Sequence, residues 1–272
     1  METVPWLPGE IPRWVFMWAI AVSMFAALKA LSFRGMKASG APLACKLSYL
    51  FLWPGMDAKA FLTQPASKAP NAREWTWAVF KTAFGISLLF VSRLFVEPLL
   101  AGWIAMVGVV FCLHFGGFHV LSCFWRSRGF QAVPLMDRPA MATSVSDFWG
   151  KRWNVAFRDL THRMVFLPTL RKWGRTAALM AGFILSGVIH ELAITVPAGG
   201  GYGGPMVFFI FQGLAALFER SKAGRRFGLG KGVRGWVFTI GLLVLTVPLL
   251  FSPPFVLRII NPFCDFLHEL AF

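Results

Sequence analysis

The chain has 272 residues, 57% hydrophobic and only 14% charged, with a mean hydropathy of +0.62. Soluble domains average roughly 45–50% apolar and about 25% charged residues, so this composition excludes an ordinary soluble enzyme and fits lipid as the solvent. The net charge of +15 would point to nucleic acid in a soluble protein. Here the basic residues lie between apolar runs, which makes them a topology signal rather than a nucleic-acid surface.

The chain begins with Glu2, Glu10 and Arg13 ahead of its first apolar run. It lacks the basic leader of a cleaved signal peptide, so that run reads as a retained helix. A spanning helix needs about 20 mostly apolar residues. Six stretches qualify in chain order: Trp14–Phe33, Trp75–Val96, Leu99–Trp125, Thr176–Val196, Pro205–Phe218 and Trp236–Ile259. The fifth is short. The last holds Pro248, Pro253 and Pro254 and should kink or end early. Leu47–Trp53 and Met164–Leu170 are too short to span and suit re-entrant or interfacial elements covered by protein. The expected fold is therefore all-α. It is a single polytopic membrane domain over residues 1–272, with about six to eight transmembrane helices plus re-entrant or interfacial segments.

Six Lys or Arg fall in Arg34–Glu74, ten in Arg126–Arg175 and six in Glu219–Arg234, which is 22 of the 27 in the chain. Glu97–Pro98 is a tight turn and Pro197–Gly204 carries no charge. The alternation places the three basic segments on the cytoplasmic side and both ends of the chain outside. The glycine cluster Gly199–Gly204 has no G-K-[ST] after it and reads as a flexible turn. Cys45, Cys112, Cys123 and Cys264 form no C-x-x-C, so neither a disulfide framework nor a zinc site is expected.

Ionisable side chains within a span cost at least about 2.5–3.5 kcal/mol each when charged. The fourth span nevertheless contains Ser186, Gly187, His190 and Glu191 in the run SGVIHE. Adjacent His190 and Glu191 point about 100° apart on a helix, so both cannot face lipid. Ser186 lies one turn before His190 on the same face, and Ser186-Gly187 permits close approach of another helix or a substrate chain. The bland reading makes His190 and Glu191 interhelical contacts. A second block, SVSDFWGKRWN over Ser144–Asn154, sets Trp149, Lys151, Arg152 and Trp153 beside Asp147 and Asn154. Interface anchoring explains its aromatic and basic residues, but explains Asp147 and Asn154 less well.

FWGKRWN followed by SGVIHE resembles the membrane-bound O-acyltransferase superfamily, and most nearly its wax-synthase-like branch. WPGMDAKAFL over Trp53–Leu62 is similar to that branch too. The resemblance runs from about Trp53 to Arg220. It implies acyl transfer from a thioester, usually acyl-CoA, to a hydroxyl acceptor such as a long-chain alcohol. His190 takes the place of the catalytic histidine and Asn154 that of its polar partner. Trp149, Lys151, Arg152, Trp153, Ser186 and Glu191 are expected around the substrates, with no metal and no bound cofactor. Acyl-CoA, the hydroxyl-bearing acceptor and membrane lipids are the implied partners. A multi-pass location in a cell membrane, the inner membrane of a bacterium, is expected. Neutral imidazole suits a general base. Lys151, Arg152, Arg171 and Lys172 are candidates for the CoA phosphates. His190 would lie about 21 Å along its span from Thr176, so Asn154 can meet it only if the basic segment folds back into the bilayer.

Two other classes remain open at this point. A desaturase-like metal site has His114, His119, His162 and His190 available but lacks clustered spacing. A transporter or channel would use His190 and Glu191 as a proton relay.

Overall fold

The computed structural model describes residues 11–34, 40–66 and 68–271. Glu2, Glu10 and Lys37, which enter the reading of the leader and of the first basic segment, lie outside the described residues. Within lipid, backbone N–H and C=O groups must be satisfied inside the segment, so the long apolar runs become helices. α1 is Arg13–Phe33. A short unit follows, with α2 (Leu43–Leu47) running into a wide π-helical turn over Ser48–Leu52, then α3 (Ala58–Thr63), whose first turn is capped by Asp57 accepting from Ala60 N–H at 2.9 Å. α4 is Ala72–Ser92, capped by Asn71. α5 (Pro98–Val110) and α6 (Phe118–Ser127) make one 30-residue run through a π turn at Phe111–Gly117.

α7 (Val145–Asp147) continues into a π turn at Phe148–Arg152. α8 (Val155–Thr161), a π turn at His162–Phe166, α9 (Leu167–His190), a π turn at Glu191–Thr195 and α10 (Val196–Ala198) then form a 44-residue run. Gly174, at φ 83° and ψ 179°, kinks this run. The span expected from Thr176 therefore starts two residues past a break that only glycine adopts readily. α11 (Gly204–Arg220), α12 (Lys222–Arg226), α13 (Gly232–Leu250), α14 (Pro253–Phe255), a π turn at Val256–Ile260 and α15 (Asn261–Ala271) complete the chain.

Among the described residues, five of these helical runs are long and apolar enough to cross a membrane; α11, which covers the fifth expected stretch, has 17 residues. The last expected span needs correction. It does not continue to Ile259 but stops at Leu250, and Ser252 is extended at φ −68° and ψ 159° before a new helix opens on Pro253. A residue preceding proline is disfavoured in the helical region, which forces the break.

Hydrogen bonds sort the connections into two ends. At one end, Arg13 donates to the Pro197 carbonyl at 3.0 Å, and Arg258 donates to the Ala198 and Gly199 carbonyls at 3.3 Å. Asn261 donates to the Pro98 carbonyl at 3.0 Å beside the Arg93–Asp265 ion pair. At the other end Arg126 pairs with Glu74, and Trp236 Nε1–H donates to the Ala140 carbonyl at 2.7 Å. The three basic segments thus meet at one end of the bundle, as their alternation predicts.

Near the basic end, one turn before α1 finishes, Lys29 Nζ donates to the carbonyls of Trp53, at 2.7 Å, and Gly55, and sits 3.5 Å from the centroid of the Tyr49 ring. These contacts fasten the early Trp53–Leu62 stretch to α1. Tyr49 itself is fully buried, with its phenol pushed up to about 12, chiefly by desolvation.

Candidate active site

His190 closes α9. Its Nδ1–H donates to the Ser186 carbonyl at 2.7 Å, which orients Nε2 away from its own helix as the acceptor nitrogen. Its ring lies 4.7 Å from that of Phe209 on α11. α9 and α11 approach closely because Gly187 has no side chain: a Cβ there would lie 2.8 Å from Met206 Sδ and 3.1 Å from Met206 Cα. The close approach expected from Ser186-Gly187 is that of a helix. Ser186 Oγ donates to the Gly182 carbonyl at 3.0 Å, so its contribution to His190 comes through the backbone.

The SVSDFWGKRWN block folds back into the bundle. Trp149 rests against Phe208 and Phe209, with ring centroids 6.2 and 5.4 Å apart, and its Nε1–H donates to Gln212 Oε1 at 3.2 Å. These partners lie about 12–18 Å up α11 from Arg220 at the basic end. Phe209 therefore touches both Trp149 and His190. Trp153 follows, 6.5 Å from Trp149, stacked on Phe148 at 5.6 Å and on the His114 ring at 6.4 Å.

Asn154 adopts the left-handed conformation, φ 43°, and caps α8 by accepting from Phe157 N–H at 3.2 Å. Its side-chain NH2 remains a donor. The early Trp53–Leu62 stretch meets the residues flanking this block across an open cavity of about 260 Å³, lined by Trp53, Gly55, Asp57, Leu135, Val155 and Asp159.

Two residues expected near the substrates are occupied by the fold. Arg152 Nε–H donates to Asp147 at 2.5 Å and its guanidinium reaches the Asp137 and Arg138 carbonyls at 3.4 Å. Glu191 accepts from Met206 N–H at 3.2 Å and from the Thr195 hydroxyl at 2.7 Å. It supplies a carboxylate to the first turn of α11, where a helix N-terminus favours negative charge. Lys151, Arg171 and Lys172 are exposed.

Glu219 and Gln212 escaped the sequence reading. Glu219, 4% exposed, accepts from the backbone N–H groups of Val145 at 2.7 Å and Ser146 at 2.9 Å, and so fixes the start of the block. Gln212, fully buried, holds the Trp149 indole and donates to the Thr246 hydroxyl at 3.1 Å. A polar residue in an apolar span is a signal, but its partner 63 positions away is not visible locally.

Glu74, His119 and Cys123 bring three ligand atoms within 4.8 Å of one another. Arg126 pairs with Glu74, and Lys81 contacts His119 Nδ1 at 2.8 Å, while His119 Nε2 meets Glu74 at 3.2 Å. Two cations already fill this cluster, which does not fit a further positive ion. The four cysteines are free thiols.

Comparison with known proteins bears out the resemblance carried by the two motif blocks. Residues 132–211 match "Membrane bound O-acyl transferase family", a stretch holding both blocks. Among curated relatives, "Probable long-chain-alcohol O-fatty-acyltransferase 7" of Arabidopsis thaliana is 28% identical over 50% of this chain and 44% of its own length. "Long-chain-alcohol O-fatty-acyltransferase" of Simmondsia chinensis is 27% identical over 56% of this chain and 48% of its own. "Acyl-CoA--sterol O-acyltransferase 1" of Arabidopsis thaliana is 27% identical over 46% and 39%. The matched part of the chain thus spans less than half the length of each of these relatives. Family match and relatives together support the wax-synthase-like branch of the membrane-bound O-acyltransferases.

Proposed function

We propose that this integral membrane protein transfers an acyl group from acyl-CoA to a hydroxyl acceptor, with a long-chain alcohol as the leading candidate. The observation that carries the proposal is the His190–Ser186 hydrogen bond, which leaves Nε2 as a neutral base in a wall shared with Trp149 of the FWGKRWN block. In this reading Nε2 takes the proton of the alcohol as its oxygen attacks the thioester carbonyl. The new C–O bond forms, the C–S bond breaks, and the proton passes to the departing thiolate. Asn154 Nδ2–H donates to the carbonyl oxygen as it gains negative charge. The basic end faces the cytoplasm, and exposed Lys151, Arg171 and Lys172 meet the CoA phosphates there.

The relay alternative is weakened by Glu191, because both of its oxygens already accept hydrogen bonds, one from Met206 N–H in the first turn of α11 and one from the Thr195 hydroxyl in its own π turn. The test is consumption of acyl-CoA by the purified chain with a panel of alcohols and sterols, beside His190→Ala. Turnover that needs an alcohol and disappears with His190 supports the reading. Equal turnover in both proteins, or none in the native chain, ends it.

A further inference from the structure

His114 lies in the π turn between α5 and α6, midway along that run. Its Nδ1 is buried and has no hydrogen-bond partner among the described residues. Its ring stacks on Trp153, with planes 17° apart, and meets Phe118 edge-on at 5.3 Å. Buried polar atoms are as a rule paired, and a π turn inside a helix is a recurrent mark of functional sites. A phenylalanine would fill this aromatic niche with no unmatched nitrogen. The nitrogen therefore points to a ligand rather than to packing.

We propose that His114 is a substrate-binding residue whose Nδ1 hydrogen-bonds an amide of the acyl donor's pantetheine arm as that arm passes Trp153. The proposal rests on the acyl-transfer reading. An amide offers both an N–H and a carbonyl, so it satisfies Nδ1 in either tautomer of a neutral imidazole. His114 and His190 stand at opposite ends of the ring series Trp153, Trp149 and Phe209. They serve different atoms: His190 the reacting hydroxyl, His114 the donor arm. Trp153 is followed directly by Asn154 and α8, whose first turn Asn154 caps, so the same short stretch presents the stacked ring and the amide donor.

The experiment is steady-state kinetics of the full chain with acyl-CoA and a long-chain alcohol, for His114→Phe, His114→Asn and His114→Gln beside His190→Ala. His114→Phe should raise KM for acyl-CoA about tenfold, the size of one lost buried hydrogen bond. KM for the alcohol and the melting temperature should not move. Asparagine places an amide where Nδ1 stood and should restore the donor KM. Glutamine should not, and this pair decides the matter if the phenylalanine variant does not fold. An unchanged donor KM in His114→Phe, equal KM for the asparagine and glutamine variants, or parallel losses for both substrates with a lowered melting temperature would overturn the assignment. Native turnover abolished by His190→Ala but untouched in His114→Phe sinks the His114 proposal alone. Absence of native turnover sinks both.

Discussion

The Nδ1–H of His190 donates to the main-chain carbonyl of Ser186, one turn earlier on the same helix, at 2.7 Å. The orienting group is backbone, so it survives any change of the Ser186 side chain. Ser186→Ala should keep acyl transfer within about threefold, whereas His190→Ala should lose about 10²–10⁴-fold, the usual worth of a general base. Rates of acyl-CoA consumption for the two variants, measured side by side, check this. A dead Ser186→Ala would assign its hydroxyl a direct role.

In the proposed mechanism Asn154 has two tasks, capping α8 and donating to the reacting carbonyl, and one substitution separates them. Aspartate keeps the oxygen that caps α8 but has no amide N–H to donate. Asn154→Asp should melt within about 0.5 kcal/mol of the native chain, since the two are near-equal helix caps. Its kcat should fall about 10²–10³-fold, as when an oxyanion donor is removed. Thermal unfolding in detergent and kcat are the two readouts.

Glu191 is hydrogen-bonded to the first turn of α11. Glu191→Gln retains one carbonyl for Met206 N–H and should keep most activity. Glu191→Ala leaves that N–H and the Thr195 hydroxyl without the carboxylate and should cost about 1–3 kcal/mol of stability. Equal inactivation by glutamine and alanine at unchanged melting temperature would instead place the carboxylate in the chemistry.

Gly187 sets the spacing of α9 and α11. Its replacement by alanine puts a methyl group against Met206, and overpacking of this kind costs about 1–3 kcal/mol. A second substitution, Met206→Ala, removes the side chain whose sulfur lies nearest and should recover part of the loss in the double variant. Melting temperatures of the single and double variants measure the coupling.

Cys264 lies in a half-polar helix against α5, 7% exposed, with its thiol pushed up to about 11 by burial. Alkylation requires the thiolate. At neutral pH in mild detergent, Cys264 should stay unmodified by a maleimide in the folded protein and react once it is unfolded. Mass spectrometry of the labelled peptides gives the order of reaction.

The helices were legible because a run of apolar residues has few other solutions in lipid. Even the kink at Gly174 falls beside the expected start at Thr176. The early stop at Leu250 was legible only as a warning from Pro248, Pro253 and Pro254, because hydropathy continues across the break. His190 stood out as an ionisable group within a span. Arg152 and Glu191 carry the same chemical marks, yet the fold itself takes up their hydrogen-bonding groups. Glu219 and Gln212 were not legible at all. Each acts through a contact with the Val145–Trp149 stretch more than 60 residues earlier, and that contact exists only after the block folds back.

The five Lys and Arg outside the three basic segments are Arg13, Lys29, Lys81, Arg93 and Arg258, and each of them is bound to a group of the chain itself. Hydrogen bonds to neutral carbonyls do not cancel their charges, but 22 of the 27 Lys and Arg lie in the three basic segments. The molecule therefore carries its excess positive charge at the end where Lys151, Arg171 and Lys172 stand exposed, and that end is its positive pole. Anionic headgroups should gather in the leaflet around that pole, within a Debye length of about 10 Å or less at physiological salt. A transmembrane voltage negative on the basic side would hold the protein upright by acting on the same charges.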